Sequence, residues 1–266
     1  MPDLSDINRI YVYCVGVISG GPENLHQLVS ALNKFGHNAV LVYERFISDK
    51  YLYAYKEYKA PFAMSLKEVK DDEKNLIIVP EVCVHKLKLF SFIKKSVWWL
   101  SVDNHFKAVK NYGEELFNFK NIQNQQIMHF AVSKYVEDFL VQNGARSVYR
   151  LSNYINGYFF KKEISERQNI VLYNPRKGIE ATNSIIALLP SVKFAPIENL
   201  NRRQVSSLLR KGKVYIDFGN HPGKEHIPRE AAISGCCVIT GFPTVLPLFM
   251  KTCRYRKVIN FSNLMI

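Results

Sequence analysis

The residues best equipped for chemistry lie in one stretch, 213-KVYIDFGNHPGKEHIPREAAISGCCVITG-241. Asn220, His221, Lys224, Glu225, His226, Arg229 and Glu230 follow an apolar run, Val214 to Phe218, and far exceed what a turn requires. Imidazoles and carboxylates at such a place can move protons or orient hydroxyls, and Lys and Arg can hold anions. Pro228 predicts the opening turn of a short helix and Gly235 its end, before a second buried strand, Cys237 to Thr240. A loop between a strand's carboxyl end and a helix start is where parallel α/β sheets bind ligands. The stretch therefore predicts half of a ligand site.

Three shorter constellations share that logic. Gly20-Gly21-Pro22 follows an apolar run, 10-IYVYCVGVIS-19, and its backbone N–H groups could hold an anion or a sugar hydroxyl. Glu23, His26, Gln27 and Ser30 share the polar face of the helix that follows; a plain turn with a solvated face is the equally open reading. The turn is not G-x-G-x-x-G, so no dinucleotide fingerprint is present. Asp103-Asn104-His105 follows 97-VWWLSV-102, and Asp103 is either a general base or hydroxyl-orienting group, or simply a helix cap. Asn174-Pro175-Arg176-Lys177-Gly178 follows a strand at Ile170–Tyr173 and offers two cations.

The elements that must position these residues alternate strand and helix. Strands are expected at 10–19, 38–43, 75–80, 97–102, 128–133 and 147–151. Helices are expected from Pro22 to a stop at Gly36 and from Lys134 to Asn143. Residues 44–72, which include 51-YLYAYKEYKAPF-62, have no clean period and resemble an insertion or lid. Residues 82–95 mix apolar residues with lysines, as either a crossover helix or a segment lying on an anionic bilayer. Periodicity breaks over 157–168, and the α/β rhythm then restarts with strands at 170–173, 192–195 and 214–218 and helices at 179–189 and 201–211. The order predicts an α/β fold of two Rossmann-like domains, 1–157 and 158–266, facing across a cleft.

Composition limits the function classes. The chain has 266 residues, 47% hydrophobic and 22% charged, which suits two packed domains and not a disordered chain. No apolar run nears the roughly 20 residues of a membrane span, and the first residues do not read as a signal peptide. Five cysteines without a C-x-x-C pair predict buried free thiols in a reducing cytosol. The net charge of +13 favours anionic partners: nucleic acid, a membrane surface or a phosphorylated substrate. The basic residues are dispersed and no nucleic-acid-binding signature appears, which argues against nucleic acid; the tyrosines at 51–58 are the one feature in its favour.

Several of these motifs, in this order, resemble GT-B glycosyltransferases. Gly20-Gly21 resembles that fold's glycine-rich turn after the first strand, near the acceptor. Ser133-Lys134-Tyr135 and 151-LSNYINGYFF-160 resemble the passage leading into the second domain. The segment 169-NIVLYNPRKGIE-180 is similar to the strand and basic loop that open the nucleotide-sugar domain, and 230-EAAISG-235 to half of the two-glutamate donor motif of the retaining branch. The resemblance implies that Glu230 hydrogen-bonds the ribose and that Arg176 and Lys177 stabilise the departing diphosphate without a metal or other cofactor. It implies donor-side roles for Asn174, Gly219, Asn220, Gly223 and Arg229, and acceptor-side roles for Gly20, Gly21, Glu23 and His26. Asp103, His221, Lys224 and Glu225 are its candidate catalytic groups.

The chain departs from the family in two places. Eight positions before Glu230, where the first glutamate of the pair belongs, stands Pro222, so Glu225, His221 or Lys224 must cover that role. The last apolar strand, 258–261, falls almost at the end, which implies either a compact member or a second domain shortened at its C-terminus. The activity implied is transfer of a sugar from a nucleotide sugar to a glycan or lipid-linked acceptor, in bacterial surface polysaccharide or lipopolysaccharide synthesis. Its expected place is cytoplasmic, peripheral on the inner face of the membrane. A sugar-nucleotide epimerase on the same fold, or a non-catalytic glycan- or nucleic-acid-binding module, is the alternative.

Overall fold

The computed structural model describes residues 4–43, 47–63, 65–113, 120–160, 166–219, 221 and 224–241. The chain divides into two compact units, one ending at Tyr154 and the other starting at Ile155.

The first unit is built on a parallel sheet of seven strands: β1 (Arg9–Tyr13), β2 (Ala39–Val42), β3 (Phe62–Ala63), β4 (Asn75–Pro80), β5 (Lys94–Trp99), β6 (Ile127–Ala131) and β7 (Val148–Arg150). Their order across the sheet is β3-β2-β1-β4-β5-β6-β7, which reverses direction at β1 and β4 as in a doubly wound fold. Helices α1 (Gly20–Lys34), α2 (Asp49–Tyr55), α3 (Val102–Tyr112), α4 (Lys120–Gln123) and α5 (Lys134–Gln142) connect them. Successive strand residues enter opposite cores. Ile10, Val12, Leu76, Ile78 and Trp98 pack with Leu25 and Val29 of α1, whereas Tyr11, Ile77, Val79, Val97 and Trp99 pack with Ala108 of α3 and Val136 and Leu140 of α5. Burial on both faces explains why these strands read as continuous apolar runs.

The second unit carries a four-stranded parallel sheet in the order β11-β10-β8-β9, from β8 (Gln168–Tyr173), β9 (Lys193–Pro196), β10 (Gly212–Asp217) and β11 (Cys237–Thr240). Its helices are α6 (Ile179–Leu188), α7 (Arg202–Lys211) and α8 (His226–Ile233). Ile170, Leu172 and Tyr215 bury against Val205 and Leu209 of α7, Ala231 of α8, and Phe159 of a short 3-10 turn, Gly157–Phe160. That turn belongs to the second unit's core, although its sequence reads as part of a linker.

Several sequence expectations change. β1 stops at Tyr13, and Gly20 and Gly21 form the first turn of α1 where a separate glycine turn was expected. β5 ends at Trp99, and Ser101 caps α3 by accepting the N–H of Asn104, so Asp103 sits in a helix turn and not in a loop. The lysine-bearing stretch after β4 is no long amphipathic helix. It is a 3-10 segment, Glu81–Leu89, kinked at Cys83, with Cys83, Val84 and Leu87 buried, and β5 begins at Lys94. Residues 49–58 are not a lid: Tyr51, Tyr55 and Tyr58 are buried in the core beside α1, and of their tyrosines only Tyr53 is exposed, with Lys56 over its ring. Three of the tyrosines that favoured nucleic acid are therefore core residues. Pro228 is the third residue of α8, still among the first N–H positions that a helix leaves unpaired. Cys14, Cys83 and Cys236 are buried free thiols, and Cys237 is half-buried. The strand expected at 258–261 and Cys253 lie outside the described residues. Among the described residues no helix is long and apolar enough to cross a membrane.

Candidate functional site

In the second unit the chemistry-bearing residues gather where β8 and β10 end. Asn174 begins the loop after β8, and its Oδ1 accepts the N–H of Arg176 at 3.1 Å, a local turn that leaves the Arg176 side chain exposed. Gly178, at φ +58°, closes the loop and opens α6. After β10, Asp217 is 2% exposed and fully engaged: Oδ1 accepts the N–H of Gly219 at 3.0 Å and Oδ2 the hydroxyl of Tyr215 at 2.8 Å. Gly219 is thereby laid against Lys177, whose Cβ would be 2.3 Å from any Cβ at that position. Lys177 Nζ in turn pairs with Glu225 Oε2 at 2.9 Å. Two loops 40 positions apart thus form one polar surface at the carboxyl edge of the sheet.

His221 is 8% exposed, 3.6 Å from Asp217 Oδ1, and neither ring nitrogen has a hydrogen-bond partner among the described residues. An imidazole so placed lies beside a carboxylate and retains hydrogen-bonding capacity for a ligand. Glu225 caps α8 with its backbone, and its carbonyl accepts Nε–H of the buried Arg229 at 3.0 Å. Lys224 is half-buried beside them. Asn220, Pro222 and Gly223 lie outside the described residues.

Glu230 departs from what its sequence position implies. It is fully buried, with Oε1 accepting from the Arg202 guanidinium and standing 3.4 Å from His226 Nδ1. Burial pushes its carboxyl up, but the hydrogen bond from His226 and the charge of Arg202 outweigh that and hold it below the ordinary carboxylate range. It is therefore ionised at neutral pH.

The candidates of the first unit fall at the equivalent edge of their own sheet. Gly20 is exposed and Gly21 half-buried; their N–H groups belong to the first turn of α1, behind Ser19, whose side chain makes no cap. Glu23 and His26 do not share a solvated face. They are 5% and 4% exposed, held by tyrosines from the 49–58 segment and by Tyr43, just past β2. Tyr58 donates to Glu23 Oε1 at 2.7 Å, Tyr43 bonds His26 Nε2 at 3.0 Å, and His26 Nδ1 bonds the Pro22 carbonyl at 2.8 Å. Tyr55 both accepts from the Ser19 N–H and donates to the Ser19 carbonyl, each at 2.9 Å, which fixes the helix start. Burial pushes His26 down to about 4, so it is neutral at physiological pH.

Asp103, in α3, is half-buried; together with burial, its charge raises the Tyr135 hydroxyl pKa. Beneath it lies a carboxylate that sequence reasoning missed. Glu81 is 2% exposed, and its Oε2 accepts the N–H of Leu100 at 3.0 Å. Burial pushes it up to about 7, against the pull of hydrogen bonds from Leu100, from its own N–H and from Ser101. Asp217 and Arg202 were also missed. Asp217 had a signal, an acid ending an apolar strand; Arg202 had none, because its partner lies 28 positions away. Among the described residues no cluster of His, Cys, Asp and Glu has metal-site geometry.

No known protein family and no curated protein matches the chain by sequence. Solved structures do match its fold. HepE from Anabaena, solved with UDP and glucose, superposes with a TM-score of 0.60 at 13% identity, over 87% of this chain and 80% of that one. Sucrose-phosphate synthase from Thermosynechococcus elongatus also gives 0.60, at 12% identity over 88% and 81%. The lipopolysaccharide outer core galactosyltransferase WaaB gives 0.55, at 12% identity over 87% and 80%. The chain thus has the GT-B architecture, two Rossmann-like units in sequence.

Proposed function

We propose that this chain is a glycosyltransferase that takes a sugar from a nucleotide sugar bound by its second unit and passes it to a glycan or lipid-linked acceptor. The observation that carries the reading is the paired-loop surface at the ends of β8 and β10. It joins Lys177 of the first loop to Glu225, the residue that opens the helix carrying the ionised Glu230. HepE, of the same fold, has been solved with UDP-glucose.

The chemistry follows from charge. As the glycosidic bond to the nucleotide breaks, negative charge grows on the leaving diphosphate. In this reading Arg176, Lys177 and the N–H groups opening α6 stabilise it. This supply of positive charge does the work without a metal. Glu230 accepts from the ribose, with Asn174, Gly219, Asn220, Gly223 and Arg229 lining the donor. His221, Lys224 and Glu225 address the transferred sugar in place of the absent first glutamate, and Asp103 serves the acceptor hydroxyl. Gly20 and Gly21 meet the acceptor through backbone N–H groups, with Glu23 and His26 positioning them from behind.

The setting we infer is synthesis of a bacterial surface polysaccharide or lipopolysaccharide, at the cytoplasmic face of an anionic membrane, which the net charge of +13 favours. Leu89 and Phe92, 62% and 71% exposed beside Lys88 and Lys94, lie where β5 begins, the edge opposite Gly20 and Gly21. A lipid-linked acceptor reaching those glycines therefore approaches by the other edge.

The deciding experiment is incubation with UDP-, GDP-, ADP-, dTDP- and CMP-sugars, following thermal shift and release of nucleoside diphosphate or monophosphate on addition of membrane extract. One donor should raise the melting temperature and be consumed only with acceptor present. Turnover without acceptor, to an isomeric nucleotide sugar, would identify an epimerase instead.

A further inference from the structure

Glu230 can accept a ribose only if something gives way. Its side chain is 0% exposed, and its neighbours reach solvent in its stead: Arg202 at 23% and His226 at 13% of side-chain area. Oε1 is taken by the Arg202 guanidinium, while Oε2 has no hydrogen-bond partner among the described residues. A buried carboxylate oxygen left in that condition is costly and calls for a donor. A ribose diol is a pair of adjacent O–H donors, matched to the two oxygens of one carboxylate. Oε2 has no donor but is buried, and Oε1 is occupied by Arg202.

Resting on the reading of the second unit as a nucleotide site, we propose that Arg202 is a place-holder for the ribose: its guanidinium occupies the carboxylate oxygen that the diol needs and yields it to an incoming nucleotide. Two features suit the exchange. Arg202 is the first residue of α7, so its side chain is not confined by a preceding helical turn. Its guanidinium also lies over the Phe159 ring, 5.0 Å from the centroid, a second favourable contact that does not depend on Glu230. When the carboxylate is released, the guanidinium therefore keeps its place on the Phe159 ring. His226 Nδ1, 3.4 Å away on the same helix as Glu230, remains beside the carboxylate when Arg202 leaves.

The place-holder makes affinity for the ribose weaker than the carboxylate alone would give, and selective for ligands that carry the diol. Calorimetry at pH 8, where Glu230 stays ionised, tests this with the tightest binder among UDP, GDP, ADP and CDP and with its 2′,3′-dideoxy counterpart. Arg202→Ala should bind the ribonucleotide at least about threefold more tightly than wild type, with the dideoxy form unchanged. Arg202→Gln, which keeps more of the packing over Phe159, should do the same and guards against a folding defect in the alanine variant. Equal weakening of both nucleotides, or no change in either, overturns the place-holder role while leaving the nucleotide site standing. If wild type binds none of the four, or if Glu230→Gln keeps the full preference for the diol, the reading of the site itself is overturned.

Discussion

Gly178 and Gly219 bring the two site loops into backbone contact. A Cβ on Gly178 would stand 2.4 Å from the Phe218 carbonyl carbon, and one on Gly219 2.3 Å from Lys177 Cβ. No side chain fits at either position, and Gly178 also needs its left-handed φ of +58°. Gly219→Ala should therefore force the loops apart, with about 1–3 kcal/mol lost and nucleotide affinity reduced more than tenfold. Gly157→Ala, with nothing within 4 Å, should alter neither. Thermal melts and calorimetry on the two variants check this; equal behaviour would refute it.

Arg176 and Lys177 should matter for turnover and little for stability. Arg176 is exposed, and the Lys177–Glu225 pair has side chains 32% and 26% exposed, a setting in which an ion pair contributes about 0–1 kcal/mol. Replacing both with Ala should leave the melting temperature within a few degrees of wild type and lower kcat by about a hundredfold or more. A double variant of normal activity would remove them from the mechanism.

Two buried groups of the first unit give opposite pH dependences. His26 is held at about 4 when folded, below its ordinary 6.5, so the unfolded chain takes up the extra proton and stability falls as pH drops through that interval. Glu81 is held at about 7, above its ordinary 4.5, so the unfolded chain loses the proton first and stability falls as pH rises. Each effect is about 3 kcal/mol over its window, and between about pH 4.5 and 6.5 they oppose one another. His26→Gln should unmask a stability that decreases with pH, and Glu81→Gln one that increases. Urea titrations from pH 4 to 7.5 would show the two slopes; slopes of the same sign would contradict the assignment.

Arg167 holds the second unit together from beneath. Its guanidinium donates to the carbonyl of Gly212 at 2.6 Å, just past α7, and to the carbonyl of Ser234, just past α8. A cation at two helix C-termini meets both their unpaired carbonyls and their dipoles. Arg167→Met should cost about 2–4 kcal/mol. Hydrogen exchange should accelerate across 202–240 and not across 4–154; uniform acceleration would refute the local role.

The sequence supplied the alternation of buried strands and helices because two-sided burial forces a visible chemical pattern: continuous apolar runs closed by Gly, Pro and capping residues. It located the loops after β8 and β10 for the same reason, since a dense polar cluster after a buried strand has little purpose in packing. It also marked Glu230, though not its condition. What only the tertiary structure decided is which polar residues are partnered. Glu23 and His26 read as a solvated face because the tyrosines that cover them come from a segment without a period of its own. Asp103 read as a loop acid because β5 ends two residues before Ser101, which takes the cap. Arg202, Asp217 and Glu81 gained their meaning from contacts across the fold, and burial and charge pairing depend on distance in space, which a linear pattern does not encode.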